Sequence, residues 1–438
     1  MFKNFFKNTT SPDSIELPME SSAQSVRSEF KQHQGFYPLV YYNELQIQYS
    51  DLLDFSLFLK ENIPQVKMTF IDQTGTMGQR TSPLDNTKIV VFINTRSDLL
   101  KPIFIQFKII NIKKEISGAF TLKGAIDLND LYTINYESFP KSSSLQVLQK
   151  VSKQLGLGFN SNILSTNDTM SWLNYGRKVY QFIKYVSNNS YISDNDFTSY
   201  YIDYYYHMNY VNIQKELLRD NTNDQLIVDN WKSEAVTDYK NPHEKQKSIL
   251  TTDPSAREIN IFIESFTILN NSTSISIQEG YLKTVFYYDN QKKEKLIFEL
   301  DTLTDPTNKN NLINLKSPGD KQFFKSNFTQ EYIGKLDTDN MHKNYNYADF
   351  LNNRNLQELE KITIIATLPN PNFSLYIFQK IYVMFINYVR DIYNEIYNER
   401  LTGNYIITNI KYEVSGGRFT QVLHLSRRDL SISNTEIR

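Results

Sequence analysis

The sequence predicts a β-rich α+β protein: two related antiparallel β-barrels with an α/β domain inserted between them. Three observations carry this reading. From residue 37 to about 136, short alternating segments bounded by turn residues follow one another at near-regular spacing, the pattern of an antiparallel barrel or sandwich. From Lys141 the apolar period becomes helical. After Lys361 the alternation resumes and ends in a hairpin.

Taken in order, residues 1–36 are polar, rich in Ser, Gln and Asn, and read as an extended arm that orders only against a neighbour. Leu39 to Ile47 alternates. Gln65 to Asp72 alternates and stops at Gln73-Thr74-Gly75. Lys88 to Asn94 is a buried apolar run, Pro102 to Ile112 alternates again, and Phe120 to Ile126 closes the set. Leu52 to Leu59 is the exception and is compatible with a short helix.

The inserted domain opens with Ser142-Ser143-Ser144, which offers an N-cap. Leu145, Leu148, Val151 and Leu155 then recur at helical spacing, and Gly156 stands where a terminating glycine belongs. A second helix is expected from about Met170 to Val186, with Trp172, Val179, Phe182, Ile183 and Val186 on one face and an end at Asn188-Asn189. Thr198 to Ile213 returns to strand character. Its tyrosines at 200, 201, 204, 205, 206 and 210 cannot all face one side of a strand, so both sides must meet core or partner.

Leu218 to Leu356 is polar and weakly patterned, with strands expected at Glu258–Leu269, Tyr281–Asp289 and Lys295–Leu300. Loops of that length serve binding or assembly. Strands resume at Ile362–Leu368 and Leu375–Val389 around the turn Pro369-Asn370-Pro371-Asn372. Over Ile381–Ile396 helix and strand both fit. The C-terminal hairpin, Thr402 to Leu430, reverses at Ser415-Gly416-Gly417. Ile406, Thr408, Ile410, Tyr412 and Val414 share one face of its first strand; Phe419, Gln421, Leu423, Leu425 and Arg427 share one face of its second.

Composition narrows the function. The 438 residues, 40% hydrophobic and 22% charged, fit a folded protein of several domains rather than a disordered chain. A net charge of −1 gives no global field to gather nucleic acid or an acidic membrane. The absence of cysteine excludes disulfides and thiolate metal sites. Thirty Tyr and 28 Phe against 2 Trp suit large amphipathic surfaces that pair with other protein; AT-rich coding bias, which also raises Asn, Lys and Ile, accounts for them equally. The N-terminal residues lack an apolar core of signal-peptide length. The most apolar run, Leu375–Val389, contains Lys380 and falls short of the roughly 20 residues that span a bilayer.

Motifs for chemistry are missing. No glycine-rich phosphate cradle and no nucleophile elbow occur. The histidines at 33, 207, 243, 342 and 424 are scattered, and Lys247 stands where the second His of a zinc helix opened by His243-Glu244 would be. Asp194/Asp196 and Asp337/Asp339 lack the alternation and glycine of a calcium loop and read as turn and cap residues. Arg427-Arg428 reads as a former of surface ion pairs. The expectation is a non-enzymatic chain without cofactor or metal. A β-rich hydrolase acting on cell-wall glycan, or a carbohydrate-binding or adhesion module, stands against it.

Three stretches in order carry a resemblance: Ser143 to Leu157; Met170 to Ile213, with Val179-x-x-Phe182-Ile183-x-x-Val186, Tyr191-Ile192 and Tyr200 to Tyr205; and Leu401 to Leu430, with a Leu-x-Gly-x-Tyr-x-Ile strand, a turn and a Leu-x-Leu-x-Arg strand. Together they resemble the baseplate central hub protein of contractile-tailed, T-even-like bacteriophages, related to the hub part of type VI secretion spikes and of phage late-control tail proteins. The resemblance implies a structural virion protein with two similar barrels per subunit. Its homotrimer would form a pseudo-six-fold ring around the DNA channel, joining the hexameric tail tube to a trimeric cell-puncturing spike supplied by a separate protein. Baseplate wedge or inner hub proteins would be further partners, assembly would occur in the host bacterial cytoplasm, and no specific nucleic-acid binding or membrane segment is implied.

The implied plan has one barrel discontinuous in sequence. An arm at 1–36 precedes a first barrel at 37–138 and the first part of the inserted domain at 139–198. The second barrel starts at 199–218, the rest of the inserted domain fills 219–358, and the second barrel is completed at 359–438. Strands near 200–215 would then pair with those after 361. The candidate subunit-interface residues are Tyr200, Tyr201, Tyr204, Tyr205 and Tyr206 on the tyrosine-rich strand and Tyr405, Ile407, Phe419, Leu423 and Leu425 on the hairpin.

Overall fold

The computed structural model describes residues 37–42, 45–72, 75, 87–94, 102–115, 118–218, 228–229, 249–257, 260–270, 282–289, 294–299, 328–334, 341–342, 344–387, 396–398 and 401–427. The arm at 1–36, His33, the His243-Glu244 stretch and the Asp337/Asp339 pair lie outside them.

The first β-unit comprises β1 (Leu39–Tyr42), β2 (Leu45–Ile47), β3 (Leu52–Lys60), β4 (Ile63–Ile71), β5 (Lys88–Ile93), β6 (Ile103–Lys114) and β7 (Ala119–Ile126). Leu52–Leu59 is strand, not helix. Phe55, Leu57 and Leu59 are buried at every second position, which suits a pleat, and partners on both sides complete its ladder. The β3–β4 reversal uses Glu61 and Asn62, both with positive φ (51° and 66°), the two-residue turn that follows strand twist.

The inserted unit begins with β8 (Ile134–Ser142), α1 (Ser144–Gln154) and β9 (Gly158–Ser161). Ser143 caps α1 in a capping box with Gln146. At the other end Gly156 takes a φ of 70°. Leu157 N–H donates to Ser152 O (2.9 Å) and Gly156 N–H to Lys153 O (3.1 Å), satisfying the last carbonyls. The expected helix over Met170–Val186 is half strand. β10 (Met170–Lys178) pairs with β8, and only α2 (Val179–Asn188) is helical, ending at the Asn pair. The reason is local: Met170, Trp172 and Asn174 are buried while Leu173 and Tyr175 are exposed, a period of two. Gly176, at a φ of 73°, bulges the strand before the helix starts.

β11 (Thr198–Ile202), β12 (His207–Asn212), α3 (Ile213–Leu218) and β13 (Val228–Asp229) follow. Beyond them come β14 (Ile249–Thr251) and β15 (Ser265–Asn270), then β16 (Leu282–Asp289), β17 (Glu294–Glu299) and β18 (Phe328–Gly334), which form their own three-stranded sheet. β16 and β17 answer two of the three strands expected in the polar insertion; of the expected Glu258–Leu269 only the second half, in β15, is strand among the described residues. α4 (Tyr345–Leu359) precedes β19 (Ile362–Leu368), β20 (Lys380–Met384), β21 (Ile386–Asn387), β22 (Ile396–Tyr397), β23 (Gly403–Ser415) and β24 (Arg418–Arg427). The described part of Ile381–Ile396 is thus strand.

Both β-units belong to one sheet of thirteen strands, ordered β15-β19-β24-β23-β3-β4-β7-β6-β5-β1-β2, with β20 on β23 and β14 on β20. The protein is β-rich with few helices, as expected. Where two separate barrels were expected, the ladder runs open from β15 to β2 among the described residues. The second unit is discontinuous, but not as the resemblance implied. β11 and β12 pair with each other and with β9, while β14 and β15 supply the strands that join β20 and β19. A four-residue reversal closes β11 onto β12 at far lower loop entropy than a ladder to the end of the chain would need.

The C-terminal hairpin turns at Gly416 and Gly417, both with positive φ (56° and 77°). Its first strand does not keep one face. A register shift between Ile407 and Asn409 puts Tyr405 and Ile407 on one side with Ile410, Tyr412 and Val414, and turns Ile406 and Thr408 to the other; Ile406 is buried there too. Arg427 is a further correction: it is fully buried, its guanidinium 4.6 Å from the Tyr405 ring and against Gly403, where a Cβ would stand 3.1 Å from Nη1. Among the described residues no helix is long and apolar enough to cross a membrane.

Close strand packing leaves no room for a side chain at Gly124 on β7. An added Cβ would lie 2.8 Å from Phe107 Cβ and 2.9 Å from Val66 Cγ1. Gly124→Ala is expected to cost about 1–3 kcal/mol, seen as a lower urea midpoint at unchanged slope.

Candidate functional site

The reversal between β11 and β12 is Asp203-Tyr204-Tyr205-Tyr206. Asp203 builds it. One carboxylate oxygen accepts from the N–H groups of Tyr205 (2.8 Å) and His207 (2.9 Å), and the other from Asn209 Nδ2 (3.0 Å), an Asx-type closure. The His207 imidazole lies 3.5 Å from the carboxylate. Burial opposes the charge on Asp203, but His207 and the hydrogen bonds from His207 and Asn209 outweigh it and hold the carboxyl below its ordinary value. Tyr206 takes a φ of 63°, and its carbonyl accepts from Gly158 N–H (2.9 Å). Gly158 is required there because a Cβ would overlap the His207 ring.

From this turn three tyrosines reach into both β-units. Tyr206 Oη accepts from Gln106 N–H (2.9 Å) on β6. Tyr204 Oη donates to Ile410 O (3.0 Å) on β23, and its ring meets Tyr412 edge-on at 5.7 Å. Tyr201, on β11, meets Phe378 edge-on at 5.9 Å. Beside it Ile202 N–H donates to Asn62 O (2.9 Å) at the β3–β4 turn. Tyr200 pairs across the ladder with Tyr210. The hairpin therefore joins inserted unit, first β-unit and second β-unit at one place.

Of the ten interface candidates, Tyr200, Tyr201, Tyr204, Tyr405, Ile407, Phe419, Leu423 and Leu425 are buried within the single chain, and Tyr205 and Tyr206 are half-buried against the same core. The structure brings the five early tyrosines together at the junction and puts the other five in the second β-unit. Tyr405 donates to Leu401 O (2.5 Å); burial pushes its hydroxyl up to about 12 against the opposing effect of Arg427. Exposed apolar groups lie on β15 (Phe266, Ile268, Leu269) and on the outer face of the β8–β10 ribbon (Ile134, Tyr136, Leu173, Tyr175).

The acidic pair Asp194/Asp196 is bound locally. Tyr191 Oη donates to Asp194 (2.7 Å), and Ser193 Oγ (2.5 Å) and Asn212 Nδ2 (2.7 Å) donate to Asp196, as turn residues should. No group of three potential metal ligands occurs among the described residues. Sequence reasoning passed over Asp203, although Asp followed by His four residues on, between two alternating runs, signals a turn. It also passed over buried Asp168, whose carboxylate accepts from Ser144 N–H (2.9 Å), Thr166 Oγ1 (2.6 Å) and Tyr191 N–H (3.0 Å) and so fixes the start of α1 to two loops.

Because the Asp203 carboxyl is held below its ordinary value, its contribution to stability is present above the unfolded value of about 4 and is lost as pH falls through the folded one. Asp203→Asn is expected to cost about 1–3 kcal/mol at neutral pH and to flatten the acid limb of stability against pH, measured by denaturant unfolding between pH 7 and 3.

No family model matches the sequence, and no curated protein is significantly similar to it. Solved structures are similar in fold. A tail protein from Neisseria meningitidis superposes with a TM-score of 0.50 at 9% identity, covering 90% of this chain and 97% of that one. A 43 kDa prophage tail protein from Shewanella oneidensis gives 0.49 at 8% identity over 90% and 99%. An Escherichia coli component of the type VI secretion system, described as structurally similar to T4 bacteriophage tail proteins, gives 0.43 at 9% identity over 90% and 79%. In fold the chain is like the Neisseria meningitidis tail protein.

Proposed function

We propose that the chain is a structural tail protein, the central baseplate hub of a contractile tail. Its homotrimer forms a pseudo-six-fold ring that joins a hexameric tail tube to a trimeric spike and surrounds the DNA channel. One observation carries the reading: two β-units are spliced into one sheet whose ends, β15 and β2, are open among the described residues. Two different open edges on one molecule favour head-to-tail addition of copies, which closes into a ring when the rotation fits. β15 supports this. Phe266, Ile268 and Leu269 are 40%, 43% and 38% exposed on that edge strand, and an apolar open edge needs a covering neighbour. Three copies with two β-units each present six units to a six-fold tube.

The role requires no catalysis; tube, spike and wedge proteins are its partners, and the virion baseplate is its place. A hub of a phage-like contractile injection system uses the same geometry. The glycan-hydrolase reading needs an acidic pair in an aromatic-lined cleft, and the 2 Trp of the chain weigh against it.

Light scattering on the purified chain, alone and with a spike protein encoded nearby, is expected to give three times the 51.4 kDa chain mass or a 3:3 complex. A monomer indifferent to every tail protein would overturn the reading. Ile268→Lys, at an exposed position, is expected to shift the trimer to folded monomer with an unchanged far-ultraviolet dichroism spectrum.

A further inference from the structure

The inserted unit carries a cleft that the junction does not use. Gln181, Lys184, Tyr185 and Asn188 recur at helical spacing on α2 and face Tyr345 and Asp349 of α4 across a space of about 650 Å³, with Arg177 of β10 at its wall. Tyr345 Oη donates to Tyr185 Oη (2.7 Å), and the Arg177 guanidinium lies 4.0 Å from the Tyr185 ring. Stacking fixes the plane of the fork and leaves its donor edges free.

The donors exceed the acceptors. Tyr185 accepts from Tyr345, so its own O–H is unspent. Gln181 Oε1 accepts the backbone N–H of Lys178 (3.2 Å), leaving its amide protons to the cleft. Lys184 is exposed, and among the described residues neither Lys184 nor Arg177 has an ion-pair partner. The one carboxylate among the described lining residues, Asp349, accepts from Asn353 Nδ2 (2.9 Å). A ligand that satisfies this set is rich in acceptors and negatively charged.

We propose that the cleft is an oxyanion site that takes a carboxylate from an acidic segment of a partner protein, bidentate on Arg177 and steered by Lys184. A planar carboxylate matches the stacked fork. The space is far larger than one ion needs and accommodates the residues on either side of the carboxylate. The site goes beyond the ring reading and stands or falls separately from it.

The test uses the full chain with a fluorescein-labelled hexaglutamate peptide, hexaglutamine as control, and polarisation at low salt. Saturable binding of hexaglutamate alone is expected, at least tenfold weaker in Arg177→Gln and in Lys184→Glu, the latter at an exposed helical position that leaves folding intact by circular dichroism. Hexaglutamine binding as tightly, or both variants binding like the parent, would overturn the proposal. Inorganic phosphate at matched ionic strength is expected to leave the peptide bound; displacement at low millimolar phosphate would assign the cleft to a free phosphate group and overturn the carboxylate assignment.

Discussion

A strand has two edges, and on one of them β23 changes partner. Along β24 it pairs from Ile406 to Ser415. On its other edge Gly403 to Ile406 pair with β20, and Tyr412 to Ser415 pair with β3. That exchange joins the first and last thirds of the chain into one ladder. The bulge at Ile407–Asn409 falls between the two partners. Bulges increase twist and re-aim the strand, which lets one strand serve two units. Tyr37 and Tyr49 hold the far end, both donating to Gly417 O (2.7 and 2.6 Å) at the hairpin tip.

The tyrosine turn locks the third body against this splice. A buried tyrosine brings a large apolar ring and a hydroxyl that must find a partner. At the junction those partners are backbone groups of both β-units, Gln106 N–H and Ile410 O. Each such bond contributes about 1 kcal/mol net, but an orphaned buried group costs more. Geometry is therefore specified more strongly than stability. Asp203 keeps the turn in the one shape that satisfies all of them.

Neither β-unit is tethered to the inserted unit by a single linker; β-ladder, turn and side-chain hydroxyls connect all three within one chain. Among the described residues, groups of exposed apolar side chains lie at the β15 edge and on the β8–β10 ribbon, away from the tyrosine turn.

The sequence by itself determined what depends on near neighbours. Ser143, Gln146 and Gly156 set both ends of α1, Gly416-Gly417 set the hairpin turn, and period-two runs set β4 and β6, because cap, turn and pleat chemistry act within a few residues. Only the tertiary structure decided which strands pair. β3 became strand because partners flank it, β11 and β12 went to β9 rather than to the C-terminal strands, and Arg427 went inside against Tyr405. The tyrosines announced large amphipathic contacts, but a buried ring reads the same in a sequence whether its neighbour is another chain or its own. Long-range register sorts those cases, and it is encoded in contacts between residues at opposite ends of the chain.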